Sequence, residues 1–481
     1  MNFGFTTAVS QQMPQASDHA RQRMAGRRAW LLAWLALLPL VIVRAGVLSE
    51  GDTFWQIRVG LVTIAHHSIP ATDTFSWTVH GKPYFQNSWG FDVLVAIAYR
   101  LGGLPGAAAL CALITLGITA LVLALARILG ASATAAALVF YSASPLLIGW
   151  LTARPQLFDY AAVPALILLL RGIERGGLRW GAVALTGLLA AVWINLHTTA
   201  LLAVGIAGVS AAVLFVLARR ESRWRYVVAA TAAAAVGCLA SPYGIGVLHQ
   251  ASQVQADSSG IITEWLPFDP ASPTQDLIMA AGVAAVIIAW RRREAVVLAA
   301  LVVCMAGAVE AVRFQPFVGI LAIPVLAAFV SVPPDPVRRY LTSRRVMFQR
   351  CGALAMAAVV VLAAPSLSHI GRAEPKTYPA ALVADIPHGC RLFTTDLLGD
   401  YVILARPDVP VSLDGRNNLY GPALLIAEER VLHGLGNLSR GLAGAGCVLV
   451  PRSYGLASRL RHDAQWQLRA ADQFAVLYVR R

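Results

Sequence analysis

The sequence predicts an all-α polytopic membrane protein of about eleven transmembrane helices, with a small α/β domain at its C-terminal end. Three observations predict it. Apolar runs near the 18–20 residues that cross a bilayer recur along most of the 481 residues. Only 13% of the chain is charged and 57% is hydrophobic, whereas soluble domains carry about a quarter charged residues. Basic residues cluster in alternate loops between the runs, as the positive-inside rule expects. A net charge of +14 would otherwise suggest nucleic acid. Its confinement to short loops argues for a lipid bilayer and no nucleic-acid partner.

The elements follow in order. Residues 1–29 form a polar tail, held in the cytoplasm by Arg21, Arg23, Arg27 and Arg28. No small-residue cleavage site follows the first apolar run, Trp30 to Leu48, which reads as an uncleaved anchor. Further runs fall at about 105–128, 132–150, 156–171, 180–196, 198–218, 226–241, 275–290, 295–311, 314–332 and 350–366. The basic loops, among them 171–180, 219–225, 291–294 and 333–350, all lie on the side of the N-terminus. The membrane domain therefore spans 30–366, with a first extracytoplasmic loop at 49–104. An odd number of spans places residues 367–481 outside. There, strand-like runs at 390–395, 409–413, 447–450 and 474–479 alternate with helical patterns at 379–386, 397–405, 422–433 and 454–462. An oxidising compartment permits a Cys390–Cys447 disulfide; two thiols in strand cores are the alternative.

Polar residues at span ends, outside the basic loops, all fall on the outer side. They are Glu50, Asp52, Trp55 and Asp73 after the first run, and Arg154 and Gln156 in "TARPQLFDY". Asn195 and His197 lie in "WINLHTT", Tyr243 in "SPYG", Glu264 in the loop beyond, and Arg313 in "VEAVRFQP". Ionisable groups at such depth mark a functional site by default. Each also has a structural reading. Asp73 suits a turn, Arg154 could snorkel to headgroups, and Glu310 with Arg313 could form an ion pair along one helix face. His66 and His67 read as loop residues. Together the residues suit sugar transfer from a lipid phosphate: a carboxylate as general base, Arg or His against the phosphate, and aromatic rings for sugar or headgroup.

The loop "SEGDTFWQIRVG", continuing through "IPATDTFSW" and "QNSWGFDVLVAIAYRLGG", resembles the first extracytoplasmic loop of the GT-C superfamily. These are polyprenyl-phosphate-dependent glycosyltransferases such as the protein O-mannosyltransferases and lipid A aminoarabinose transferases. "ARPQLF", "NLH", "SPYG" and the late "DGRNNLYG" (Asp414 to Gly421) also resemble segments of a bacterial group of GT-C-like membrane proteins. The resemblance implies inverting transfer from a polyprenyl-phosphate sugar to an envelope acceptor at the inner membrane. Asp52 is the base by position and Glu50 its alternative. Members with an adjacent Asp-Glu pair have two neighbouring carboxylates; here Gly51 intervenes, and Asp73 is the candidate for the second. Arg416 of the late segment is a candidate for acceptor binding, against a plain structural loop. No cofactor is demanded. Carboxylates and His are able to bind a divalent metal, but no spacing requires one. A polysaccharide polymerase or ligase would lean on Arg and His in a large outer loop, and the 243–275 loop holds one His and no Lys or Arg. A transporter would show paired repeats, which are not evident; a non-catalytic scaffold stays open.

Overall fold

The computed structural model describes residues 26–45, 47–177, 179–217, 222–260, 262–331 and 344–481. The arginines at 21 and 23, and parts of the 219–225 and 333–350 loops, lie outside the described residues. The chain is a multi-pass helical membrane protein with a small C-terminal sheet. Among the described residues eight helices are long and apolar enough to cross a bilayer. Three of the eleven expected spans correspond to helices with shorter apolar stretches: Arg223–Cys238, Ala295–Glu310 and Arg345–Leu367.

Two helices of the first loop do not follow the bilayer pattern. Asp52–His66 stops at His67, whose φ of 51° is the left-handed conformation that ends a helix. His66 and His67 are exposed there. Trp89–Ile128 is broken at Gly102 and Gly103, the latter at φ 62°, so the segment before the break is distinct from the spanning part that follows.

Strand β1 (Val47–Leu48), leaving the first span, pairs in parallel with β2 (Arg372–Ala373), which follows the last long helix. The C-terminal sheet contains β3 (Leu392–Thr394), β4 (Cys447–Pro451), β5 (Trp466–Ala471) and β6 (Ala475–Arg480) in the order β3-β4-β6-β5. The β3–β4 pair is parallel and the others antiparallel. Two expectations change here. The run 409–413 forms bridges rather than a full strand, because Pro410 has no N–H to give the ladder. Strand β5 was not legible in the sequence: only Trp466 of it is buried, so the period-two apolar pattern is missing. Cys390 and Cys447 are disulfide-bonded, with Cα atoms 6.1 Å apart.

The first loop and the C-terminal sheet are knitted together. Val411 bridges Ser76 on one side and Leu392 of β3 on the other. Trp77 donates its indole N–H to Leu392 O (3.0 Å), and Thr78 its hydroxyl to Ser412 O (2.6 Å). Trp55 and Val59 share a core with Leu398, Val402 and Leu449. Beneath these contacts lies a buried fork. Arg416 donates to Asp414 from Nε (2.8 Å) and Nη2 (2.6 Å), and from Nη2 to Asp73 (2.6 Å), with Tyr420 adding a bond to Asp414 (2.6 Å). Arg416, Asp414 and Asp73 are all nearly inaccessible. Removing one member of a buried charged network leaves its partners uncompensated, at about 3–5 kcal/mol. Arg416→Met is therefore expected to lower the thermal unfolding transition of the purified protein by that order; an unchanged transition would show the fork to be dispensable.

Candidate functional site

Three segments meet around one guanidinium. β1 delivers Glu50, Gly51 and Asp52 to the start of the Asp52–His66 helix. Thr53 donates its hydroxyl to Ala153 O (2.9 Å), which fixes that helix start against the "TARP" segment. Arg154 thereby faces Asp52 at 2.9 Å (Nε to Oδ2), Glu50 at 3.7 Å and Glu264 at 2.5 Å. Burial opposes the charge of Arg154, yet Asp52, Glu50 and Glu264 together bind its proton more firmly than usual. Trp55, one turn on, donates its indole N–H to Asp52 Oδ1 (3.0 Å). Asp52 lies in the first turn of its helix, where exposed backbone N–H groups favour an anion.

This cluster lines a cavity of about 440 Å³ that also takes in Trp55, Gln56, Asn87, Gln156, His197, Trp265, Arg313, Asp396, Asp400 and Arg416. The short turn Thr263–Trp265 is tied back by two backbone bonds, Phe268 N–H to Val309 O and Val312 N–H to Leu266 O. These bonds seat Arg313 over the Trp265 ring, 4.2 Å from its centroid. Ala311 is extended (φ −150°, ψ 130°) and ends the preceding helix, so Glu310 and Arg313 do not share a helix face. The expected ion pair between them is not formed, and no carboxylate lies within ion-pair distance of Arg313 among the described residues. His197 is held by Asp159, which accepts from the imidazole (Nδ1 to Oδ2, 2.6 Å) and from Trp193 Nε1 (2.6 Å). A second cavity of about 460 Å³ shares Asn87, His197, Val254, Trp265 and Arg313 with the first and continues past Leu201, Leu202, Ala251 and Phe314.

Of the residues singled out in the sequence, three lie outside the cavity lining. Asp73 is enclosed in a turn, accepting from Phe75 N–H (3.2 Å), Ser76 N–H (3.1 Å) and the Ser76 hydroxyl (2.6 Å) besides Arg416. Asn195 accepts from the Trp89 indole (3.0 Å) and donates to the Ala191 and Ala240 carbonyls. Tyr243 packs on Phe85 with ring centroids 3.7 Å apart. Asp396 and Asp400 were missed. They lie one turn apart on the Asp396–Ala405 helix, which reads in sequence as an ordinary amphipathic element with no sign of what its acidic face meets. Among the described residues no three His, Cys, Asp or Glu side chains are grouped to hold a metal ion. The carboxylates at the centre of the cavity face Arg154 instead.

No family model matches the chain, and no curated protein matches it in sequence. Solved structures do match. The archaeal oligosaccharyltransferase AglB from Archaeoglobus fulgidus, in complex with an inhibitory peptide and a dolichol-phosphate, superposes with a TM-score of 0.62 at 13% identity. That match covers 88% of this chain and 70% of that one. ArnT from Cupriavidus metallidurans in the apo state gives 0.56 at 14% identity, over 94% of this chain and 98% of that one. The same protein bound to undecaprenyl phosphate gives 0.54 at 13%, over 93% and 97%. At such identities the likeness is one of fold. The chain shares the fold of the AglB oligosaccharyltransferase and of ArnT.

Glu50 supplies a pH test. Burial first, then the neighbouring Asp52 and Glu264, push its carboxyl from 4.5 up to about 7 against the pull of Arg154. The folded chain then binds more protons than the unfolded chain between those values, so this group's contribution is full below pH 4.5 and is lost as pH rises through about 7. Glu50→Gln is expected to flatten that part of the stability–pH profile, measured by thermal unfolding across the window. A profile identical to wild type would remove Glu50 from the cluster's electrostatics.

Proposed function

We propose that the chain is an inverting glycosyltransferase that moves a sugar from a polyprenyl-phosphate donor to an envelope acceptor. It acts at the outer face of the cytoplasmic membrane, with the N-terminus inside and the C-terminal domain outside. The observation that carries this reading is the joining of two cavities. One holds Asp52, Arg154 and Arg313, and the other runs on from the shared residues, His197, Trp265 and Arg313 among them, past Leu201, Leu202, Ala251 and Phe314, with Thr198, Thr199 and Gln255 also in its lining. A donor whose head is a phosphosugar and whose tail is apolar matches both halves. The neighbours' ligands, dolichol-phosphate and undecaprenyl phosphate, support the donor class.

Asp52 is the general base in this reading. It takes the proton of the acceptor hydroxyl or amine as that atom bonds to the sugar's anomeric carbon. The bond from that carbon to the phosphate oxygen breaks, and its electron pair leaves with the phosphate. Arg313, stacked on Trp265 and with no carboxylate at ion-pair distance among the described residues, is the cation that receives the phosphate charge in this reading. His197, oriented by Asp159, is the second phosphate contact. Arg154 holds Asp52, Glu50 and Glu264 in register rather than meeting the donor. Trp55, Gln156 and Trp265 line the space for the sugar. Arg416, spent on Asp414 and Asp73, shapes the wall toward the acceptor.

Asp52→Asn is expected to reduce transfer by about 10²–10⁴-fold while the protein still accumulates in the membrane. The readout is glycan analysis of envelopes from a deletion strain complemented with wild type or variant, and full complementation by the variant would remove Asp52 as base. Arg313→Met is expected to weaken undecaprenyl phosphate binding by about 10–100-fold, the value of a charged hydrogen bond. Equal affinity in the two proteins would move the phosphate elsewhere.

A further inference from the structure

We propose that Asp400 is the proton-sharing partner of Asp52, so that the base is a carboxyl pair contributed half by the first loop and half by the C-terminal domain. The purpose of the pair rests on the glycosyltransferase reading; the pair itself rests on geometry. Asp400 is 1% exposed and lines the cavity from the C-terminal side. Its Oδ1 accepts the Gly415 N–H at 2.6 Å, and no other hydrogen bond to it is made among the described residues. A carbon added at Gly415 would lie 2.6 Å from Asp52 Oδ1 and 2.9 Å from Asp400 Oδ2, so the two carboxylates flank one point of backbone. A carbon added at Gly51 would clash with the same Asp400 Oδ2. The glycines of "EGD" and "DGR" are thus what lets both backbones close on Asp400. The residue that separates Glu50 from Asp52 in the sequence is the one that admits a carboxylate from the other end of the chain.

The two partners are not equivalent. Asp52 has Arg154, the Trp55 indole and a helix start in its favour. Asp400 has no cation within ion-pair distance among the described residues. The groups facing it are Asp52 from the first loop, Asp396 on its own helix, Asp414 in the turn and Tyr378. Burial, then Asp52 and Asp414, raise its carboxyl well above the usual range. Two like charges this close do not both ionise cheaply, so Asp52 carries the charge and Asp400 the proton. When Asp52 accepts the acceptor's proton, the charge that held the Asp400 proton is gone. Asp400 then releases its proton to solvent in the cavity, which returns the pair to one negative charge, and transfer of the remaining proton from Asp52 to Asp400 restores the base. Asp400 acts through Asp52 and is a positioning residue.

The test is an infrared titration of protonated carboxyl groups in the full-length protein in lipid nanodiscs. It compares wild type, Asp400→Asn and Asp52→Asn. Glu50→Gln, Glu428→Gln, Asp92→Asn and Asp396→Asn assign the other carboxyls that burial raises. A carboxyl titrating above the ordinary range is expected to vanish in Asp400→Asn. In Asp52→Asn it is expected to titrate about one pH unit or more lower. If every high-titrating carboxyl not assigned by those four variants persists in Asp400→Asn, or titrates unchanged in Asp52→Asn, the pair is overturned; the second variant decides alone if the first does not fold. Undecaprenyl phosphate binding to the same wild-type sample reports separately on the functional reading. Its absence would sink that reading and leave the titration to judge the pair.

Discussion

The site depends on one half-buried guanidinium. Arg154 collects Asp52 and Glu50 from the first loop and Glu264 from a loop more than a hundred residues later. Three carboxylates in a partly enclosed space repel one another, and without a cation between them the cluster would open or take up protons. With it, the start of a helix, the end of a span and a distant turn are fixed to a common point. Arg154 is therefore a poor candidate for the phosphate, however attractive a lone arginine at a membrane surface looks in sequence. In the proposed reading Arg313, which stacks on Trp265, takes that place.

A second network does the same for the domains. The Asp414–Arg416–Asp73 fork and the bridges of Val411 join the C-terminal sheet to the first loop. The two regions share a core through Trp55, Val59, Leu398 and Val402. The cavity is bounded by both, and its acidic wall at Asp396 and Asp400 comes from the sheet domain.

The helical membrane architecture was legible because hydrophobic length and loop charge are local properties of a chain. Each of the eleven apolar runs corresponds to a helix, though three have shorter apolar stretches. The outer-face residues were legible as a set, since a span end is a position in sequence as well as in space. Asp52, Arg154, His197, Glu264 and Arg313 do line one cavity. Their partners were not legible. Asp73 looks like a second carboxylate for Asp52, but it accepts from its own turn and from Arg416 instead. The Glu310–Arg313 spacing suits a helical pair, and one extended residue, Ala311, cancels it.

By itself the sequence determined the multi-pass helical architecture, the small C-terminal α/β domain and the grouping of polar residues at the ends of apolar runs. These follow from periodicity, length and charge, which act over tens of residues. Only the tertiary structure decided which arginine meets carboxylates and which stacks on an aromatic ring. It also decided that Asp400, not Asp73, lies beside Asp52. The reason is that Coulomb interactions and close packing depend on distance in space. Segments more than three hundred residues apart meet at Gly51 and Gly415, where the lack of a side chain is the only trace in the sequence of the contact it permits.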